Sequence, residues 1–283
     1  MYMTDDARGN LYAVALRSIR QAGGQTEYFS RIYRFDTQGN VELLPRDQNM
    51  DVWVSCISVD EAGREIVFAT SDYAPGRARR YAHNIYALET GTAKELWHAD
   101  IPTIAPYERT NMRFGPEISP DAGAVAGISS DGRAFFFAGT GQLQWTRSLS
   151  HPQKVQGIYV NATGLHVRHL GEYVAFTTGN TYNRANWQLS TPVEHPQSNN
   201  VFLFDRTGHL VKRRKMGGML EHMATSRNEL AVAVGRNIRS KDPGVHGLAL
   251  LSVPELDLLD MLPTDGPCVA LATNADATRL IAM

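Results

Sequence analysis

Histidine and carboxylate side chains are the first residues to consider for acid–base or metal chemistry in this sequence. Nine histidines are present. His166 and His169 lie three positions apart, and on a strand that spacing puts them on opposite faces, so they would not share a metal ion. His83 and His246 each come directly before an apolar segment. For these two, an acid–base or metal role competes with the simpler interpretation of unpaired surface histidines, which we favour.

The two cysteines do not belong to a recognisable metal or redox motif. Cys56 and Cys268 lie far apart, each in an apolar, strand-like run, so two buried free thiols are favoured over a disulfide. The chain also lacks a phosphate-binding P-loop, a G-x-S-x-G nucleophile elbow and an H-E-x-x-H motif. We therefore predict no catalytic residue, no cofactor and no metal ion, and we expect that the protein is not an enzyme.

Arginine interleaved with aromatic residues is the more distinctive chemical feature. It recurs in four long polar segments: RSIRQAGGQTE, SDYAPGRARRYAH, GNTYNRANWQLSTPVEHPQSNN and GRNIRSKDPGVHG. Arginine offers planar, bidentate donors and aromatic rings bury much area, a combination enriched at protein interfaces. The predicted partner-binding face consists of Arg17, Arg20, Arg77, Arg79, Arg80, Tyr81, Arg184, Trp187, Arg236 and Arg239. The alternative is that the four segments are ordinary solvated loops.

The elements that would position these residues are strands. Short segments rich in β-branched or aromatic residues, such as EIVFAT, AFFFA and NVFLFD, are bounded by Gly, Asp, Asn or Pro along the whole chain. No window has an apolar period of 3.6 residues long enough to predict a helix. The sequence therefore predicts an all-β protein, and the absence of a linker favours one domain over residues 1–283.

A repeat organises these strands. An apolar strand, an acidic residue, a glycine and a second strand recur in YRFDTQGNVELL, YALETGTAKELW and LFDRTGHLVKR. With FFFAGTGQLQW, the predicted hairpin glycines are Gly39, Gly91, Gly139 and Gly208, and a fifth hairpin is expected near Asp257. A polar turn followed by a small apolar strand precedes each hairpin, as in SPDAGAVAGIS. Two such elements in each repeat of about 50 residues give four strands per repeat.

The repeat resembles known β-propeller families. SPDAGAVAGIS is similar to the strand opening of WD40-like and TolB-like propellers, and GTAKELW and GTGQLQW resemble the Gly-to-Trp strand of PQQ-type repeats. This resemblance implies a propeller of about five to six four-stranded blades and makes Trp97 and Trp145 equivalent, buried positions. The N-terminus is expected to enter at a second strand, so the closing blade would be incomplete or shared by the two termini. The adjacent cysteines that support the quinone in PQQ-dependent dehydrogenases have no counterpart here.

Two functions from different classes remain open. The favoured one is a non-catalytic platform or accessory subunit that binds one or more protein partners through the Arg-rich loops. The alternative is an enzyme or small-ligand-binding propeller that uses its central funnel. Expected first strands (VWVSCISV, RFGPEIS, GIYVNAT, EHMATS and CVALAT) would supply only Glu117, Glu221 and His222 to that funnel.

Charge and apolar segments constrain the partners and the compartment. A net charge of -1 and the lack of a nucleic-acid-binding module make nucleic acid a less favoured partner than protein. No apolar run is long enough for a transmembrane helix, and no secretory signal is recognisable. We expect a cytoplasmic protein, or a periplasmic one if the chain is a processed form.

Overall fold

The structure is a computed structural model in which every regular element of the described residues is a strand. It describes residues 3–24, 26–44, 50–71, 81–107, 110–112, 114–179, 194–226, 228–235, 246–266, 268, 270–273 and 279–283. The predicted all-β class is confirmed.

Strands that follow one another in sequence are neighbours in each sheet, and in the described residues they form five four-stranded and two two-stranded sheets. The first sheet contains β1 (Met3–Asp5), β2 (Leu11–Arg20), β3 (Thr26–Phe35) and β4 (Val41–Leu44). The second contains β5 (Trp53–Val59), β6 (Glu65–Ser71), β7 (Ile85–Glu89) and β8 (Glu95–Ala99). The third contains β9 (Glu117–Ile118), β10 (Ala124–Ile128), β11 (Arg133–Ala138) and β12 (Leu143–Ser148).

The remaining strands follow the same order along the chain. A two-stranded sheet contains β13 (Gln153–Val155) and β14 (Ile158–Val160). The fourth four-stranded sheet contains β15 (Gly164–Leu170), β16 (Tyr173–Thr178), β17 (Asn200–Asp205) and β18 (Leu210–Lys215). The fifth contains β19 (Leu220–Thr225), β20 (Glu229–Val234), β21 (Gly247–Ser252) and β22 (Leu258–Pro263). The last two strands are β23 (Leu271–Thr273) and β24 (Leu280–Ala282).

Two strand predictions were wrong. The chain does not begin at a second strand, because β1 pairs with β2 and completes the first sheet. GIYVNAT is not the first strand of the fourth sheet. Its residues Ile158–Val160 pair with β13 instead, and GLHVRHL, which is β15, takes the first position beside β16.

The turns that join third and fourth strands explain why an aspartate and a glycine recur in the repeat. Asp36 Oδ1 accepts hydrogen bonds from the backbone N–H groups of Gln38 and Asn40, at 2.9 and 2.8 Å. Asp205 Oδ1 does the same with Thr207 and His209, at 2.9 and 3.0 Å. The glycine of each turn, Gly39 or Gly208, has a φ of 85° or 82°, which an L-residue with a Cβ rarely adopts.

Two of the predicted turn glycines do not have this role. In the second sheet Ala93, with φ 54°, takes the left-handed conformation that was expected at Gly91. In the third sheet Gly141, with φ 83°, takes it in place of Gly139.

The two repeat tryptophans make equivalent contacts. Trp97 Nε1 donates to the carbonyl oxygen of Gly139 at 2.8 Å, and Trp145 Nε1 donates to that of Arg206 at 3.0 Å. Each indole covers the left-handed glycine of the next sheet's hairpin. A Cβ at Gly141 would lie 2.6 Å from the Trp97 ring, and one at Gly208 would lie 2.8 Å from the Trp145 ring. Trp145 is buried, whereas Trp97 is only half-buried.

The chain divides into two compact units. The first contains residues 1–104, 109–127 and 136–144, and the second contains residues 105–108, 128–135 and 145–283. In the first unit Tyr12, Ile32, Phe68 and Tyr86 belong to one buried apolar cluster. In the second unit another cluster includes Val201, Leu203, Met223, Val232 and Leu251. The prediction of one domain over residues 1–283 stays a prediction.

Each unit has one cysteine in its interior. Cys56 lies on β5 and Cys268 precedes β23, and both are buried free thiols. The prediction that these cysteines do not form a disulfide is confirmed.

In the first unit, the turns between first and second strands are linked to one another. The N–H of Ala7 donates to the carbonyl oxygen of Glu61 at 2.9 Å, and the N–H of Glu61 donates to that of Pro120 at 3.0 Å. The three residues occupy the same turn in three successive sheets. These bonds therefore fix the spacing of repeats within this unit.

Candidate functional site

Arg17 and Arg20 are the two arginines of the predicted binding face that the structure describes, and both are exposed. They do not lie in a loop, as predicted, but on β2, because the hairpin continues as paired strand to Arg20 and Thr26. The remaining predicted residues, except Tyr81, fall outside the described part of the chain: Arg77, Arg79, Arg80, Arg184, Trp187, Arg236 and Arg239.

Tyr81 does not belong to a binding surface. It is 6% exposed and lies in the apolar cluster of the first unit. Its ring packs edge-on against Phe68 and Tyr86, with centroids 6.0 and 5.3 Å apart. The assignment was wrong because the ring, at the end of a polar segment, packs into the core beside β6 and β7.

The β2–β3 hairpin is the element that positions the described arginines. Its two strands have ten residues each, whereas β1 has three and β4 has four. Ten pairs, from Leu11 opposite Phe35 to Arg20 opposite Thr26, form an unbroken register. The hairpin is therefore much longer than the outer strands of its sheet.

The even-numbered residues of β3 point to one face of this hairpin, and that face contacts β5 and the residue before it. Tyr28 stacks on Trp53 with ring centroids 5.1 Å apart. Ser30 Oγ donates to the carbonyl oxygen of Val52 at 2.8 Å and accepts from the N–H of Val54 at 2.9 Å. These contacts hold the hairpin in one orientation.

The odd-numbered face is open. We call Ala15, Arg17, Ile19, Phe29 and Arg31 the open hairpin face; a cavity of about 320 Å³ lies against these residues. The contrast with the other second strands is clear. β10 is buried along its whole length, and β6, β16 and β20 are buried beyond their first residue, whereas most of β2 is exposed or half-buried.

The open hairpin face is predominantly cationic. Among the described residues, neither Arg17 nor Arg20 forms an ion pair. Arg31 Nη1 donates to the hydroxyl of Tyr33 at 3.4 Å. The acidic residue nearest the turn, Glu27, accepts a hydrogen bond from Gln21 Nε2 at 2.8 Å. The exposed guanidinium groups of Arg17 and Arg20 offer planar sets of hydrogen-bond donors to a ligand.

The third sheet differs at the same position of the repeat. Its second and third strands are joined by a tight turn in which the N–H of Gly132 donates to the carbonyl oxygen of Ser129. The arginine that follows, Arg133, is buried and forms a bidentate pair with Asp131, with Nη2–Oδ2 at 2.7 Å. The Arg133 guanidinium therefore binds a carboxylate of its own turn.

His83 is not the unpaired surface histidine that was expected. Its ring lies parallel to that of His98, with centroids 3.6 Å apart. Nδ1 of His83 lies 2.9 Å from Asp100 Oδ2, and Nδ1 of His98 lies 2.7 Å from Glu95 Oε1. The other candidate, His246, is half-buried, with Nδ1 3.5 Å from the Thr264 hydroxyl.

A cluster of ionisable residues lies on the first strands of the second unit. His166 on β15 and His222 on β19 have ring centroids 5.4 Å apart. Burial lowers the pKa of His166 well below its usual value, with the positive charge of Arg168 acting in the same direction. Burial also lowers the pKa of His222, to about 4. Both imidazoles are therefore neutral at pH 7.

His222 and Glu221 were predicted from the sequence as first-strand residues, but His166 and Arg168 were not. The signal was present, because LHVRHL directly precedes the polar turn that opens the second strand. Within the described ranges, no three His, Cys, Asp or Glu side chains are grouped so as to hold a metal ion.

Comparisons with known proteins identify the fold. No protein-family model matches the chain, and no curated protein matches it in sequence. A solved chain from the "Crystal Structure of Mitotic Checkpoint Complex" superimposes with a TM-score of 0.53 at 10% identity, covering 99% of this chain and 82% of that one. The fold is a β-propeller.

A second solved structure is also similar. It is a protein of unknown function from Bacteroides caccae, with a TM-score of 0.49 and 12% identity over 87% of this chain and 76% of that one. In the ranges that the structure describes, no helix is long and apolar enough to cross a membrane.

Proposed function

We propose that this propeller is a non-catalytic platform for a protein partner, bound through the β2–β3 hairpin. The observation that carries the proposal is the open hairpin face. The hairpin is anchored on one side and presents Arg17, Arg31 and the half-buried ring of Phe29 on the other. The second strands of the other four-stranded sheets are almost entirely buried. Arginine and aromatic residues are the types enriched at protein interfaces.

The alternative function, a small-ligand site on the first strands, has less support. The cluster of His166, Arg168 and His222 is there, but the guanidinium of Arg168 donates to the carbonyl oxygens of Met223 and Val167, at 3.1 and 2.8 Å. Nδ1 of His222 accepts from the N–H of Leu271 at 3.3 Å. These bonds stabilise neighbouring strands and leave less hydrogen-bonding capacity for a ligand.

The structural neighbour was solved in a complex. At 10% identity the similarity carries the fold alone. The partner proposed for this chain is therefore defined by its own surface and not by that complex.

The proposal is tested by charge reversal on the hairpin. The double variant Arg17→Glu and Arg20→Glu should lose the partner in affinity capture from the native source, because interfacial arginines make large contributions to binding. Its melting temperature should not change, since exposed substitutions usually alter stability by less than about 0.5 kcal/mol. The matched control is Lys212→Glu and Arg213→Glu, two exposed cations on β18. Equal partner recovery with both variants would refute the platform.

A further inference from the structure

We propose that two copies of this chain associate through two edge strands of the second unit, with β18 of one copy against β22 of the other. The contact goes beyond the proposed function, because the β2–β3 hairpin takes no part in it. Substitutions at Lys212 and Arg213 on β18 would change this contact and leave that hairpin unaltered.

Both strands are edges to which a further chain can add. In the described residues β18 pairs with β17 and β22 pairs with β21, and each is the last strand of its sheet. A strand in that position presents a row of unpaired N–H and C=O groups. The two sheets are neighbours, since one buried cluster contains residues of both and the Arg214 guanidinium donates to the carbonyl oxygen of Leu256 at 2.8 Å. A second copy can therefore reach both edges.

The β18 edge is cationic. Its sequence, LVKRRK, contains four consecutive basic residues. Lys215 Nζ forms an ion pair with Glu194, and Arg214 donates to a backbone carbonyl of the next sheet. Lys212 and Arg213 are exposed, and in the described ranges no ion pair involves either of them. Their charges are therefore directed to solvent or to another molecule.

The β22 edge has the opposite charge. The segment 253–266, VPELDLLDMLPTDG, contains four carboxylates and no lysine or arginine. Asp257 and Asp260 are exposed. Asp260 Oδ1 accepts from the N–H of Met261 at 2.8 Å, and neither aspartate forms an ion pair with any residue that the structure describes. Two β18 edges would repel each other, as would two β22 edges, so the charges favour contact between unlike edges.

An exposed apolar surface accompanies the negative charge on β22. Leu258, Leu259 and Leu262 are 45%, 54% and 43% exposed. Each of the other fourth strands has one exposed large apolar residue, such as Leu210 on β18. Removing these leucines from water would stabilise the contact, and the unlike charges beside them would select the partner edge.

A twofold axis would form two such contacts at once. Each copy would then supply one cationic and one acidic edge, and each contact would be repeated by the symmetry. Because both edges of each copy are used, neither is left to recruit a third copy. We therefore expect a dimer.

Sedimentation velocity of the full chain measures this association at concentrations from about 1 to 100 μM. We expect a dimer that dissociates on dilution and weakens as salt is added. The acidic-edge variant, Asp257→Lys with Asp260→Lys, and the basic-edge variant, Lys212→Glu with Arg213→Glu, should each associate at least about tenfold more weakly. An equimolar mixture of the two variants should dimerise again, because both contacts between them join unlike charges.

The control variant, Arg17→Glu with Arg20→Glu, separates this contact from net charge and from the hairpin. It has the same net charge as the basic-edge variant, and it should dimerise like the wild type. A fluorescein-labelled acidic-edge variant should sediment as a dimer with the basic-edge variant and mainly as a monomer with the control, whose β18 is still cationic. All three variants should melt close to the wild type, since exposed substitutions change stability little.

Three results would overturn the inference. They are a wild type that stays monomeric at about 100 μM, edge variants that associate as tightly as the wild type, and a mixture of the two edge variants that stays monomeric. A monomeric wild type would leave the acidic edge to a cationic partner chain. Loss of the dimer in the control variant would assign self-association to the β2–β3 hairpin instead. Partner capture through Arg17 and Arg20 is a separate measurement, so either proposal can fail while the other stands.

Discussion

His166 and His222 show how ionisable side chains remain uncharged on the first strands of the second unit. Burial is the largest cause of the lowered pKa of both residues. The positive charge of Arg168 would repel either imidazole if it were protonated. The free-energy cost of protonating these residues is therefore a cost to the folded state alone.

Folding stability should consequently fall as the pH is lowered from 7.5 to 5.5. The unfolded chain takes up protons near the ordinary histidine pKa of about 6.5, whereas His222 in the folded chain does so at about 4. The unfolded state binds more protons throughout this window, so stability is lost as the pH falls through 6.5. His195, whose pKa burial also lowers, adds to the effect.

Melting temperatures at pH 7.5, 6.5 and 5.5 measure this dependence. His222→Gln should give a smaller decrease than the wild type, whatever its stability at pH 7.5. The window stops at pH 5.5 because burial raises the pKa of Glu221, whose protonation acts in the opposite direction. The same decrease in His222→Gln as in the wild type would contradict the account.

Residue types alone predicted the free cysteines but not every burial state. Cys56 and Cys268 are in apolar runs, and such runs form the core in most proteins. Tyr81 ends a polar, Arg-rich segment, so its sequence neighbours indicated a surface. The rings of Phe68 and Tyr86, which bury it, come from two separate strands, and no local pattern contains that information.

At the scale of elements, the Asp-x-x-Gly turn and the tryptophan of the preceding sheet act together. Gly208 satisfies the backbone of its own hairpin with a φ of 82° and also allows Trp145 to lie against it. Gly39 has the same backbone conformation, but nothing lies within 4 Å of the position a Cβ would take. Both glycines are therefore required by the left-handed backbone conformation, but only Gly208 is also required by the close packing of an indole.

Gly208→Ala should therefore destabilise the protein more than Gly39→Ala. The left-handed conformation costs an alanine about 1–2 kcal/mol, which applies to both variants. In Gly208→Ala the new methyl group would also lie 2.8 Å from Cγ of Trp145, and overpacking of this kind adds about 1–3 kcal/mol. Urea unfolding midpoints give the comparison. Equal losses in the two variants would show that the indole does not depend on this glycine.

Strands were predicted correctly where a polar turn in the sequence comes directly before a short apolar segment. The second strands β2, β6, β10, β16 and β20 all follow a polar turn, and these strands and β24 were all expected. The first strand of the fourth sheet was not, because GIYVNAT has a more strand-like composition than GLHVRHL. Only pairing with β16, which places Val167 opposite Phe176, shows that the histidine-containing segment enters the sheet.

At the scale of the whole molecule, the period of about 50 residues was sufficient to predict four-stranded repeats and the propeller fold. The structural element that carries the proposed binding face was harder to predict. Arg17 and Arg20 were assigned to a loop because arginine, serine and glutamine dominate the segment, yet cross-strand pairing continues through them. A strand exposed on both faces lacks the alternation of apolar and polar residues that predicts a half-buried strand. The composition of this segment therefore did not distinguish a strand from a loop.

Site-specific photo-crosslinking from the hairpin tests the central claim, that this propeller binds a protein partner through the open hairpin face. A benzophenone amino acid replaces Ile19 in the full chain, which is expressed in its native source and irradiated. The same probe at Arg213 on β18 is the control. The account predicts a distinct crosslinked protein from position 19 that is absent from position 213. No crosslink from position 19, or the same products from both positions, would contradict it.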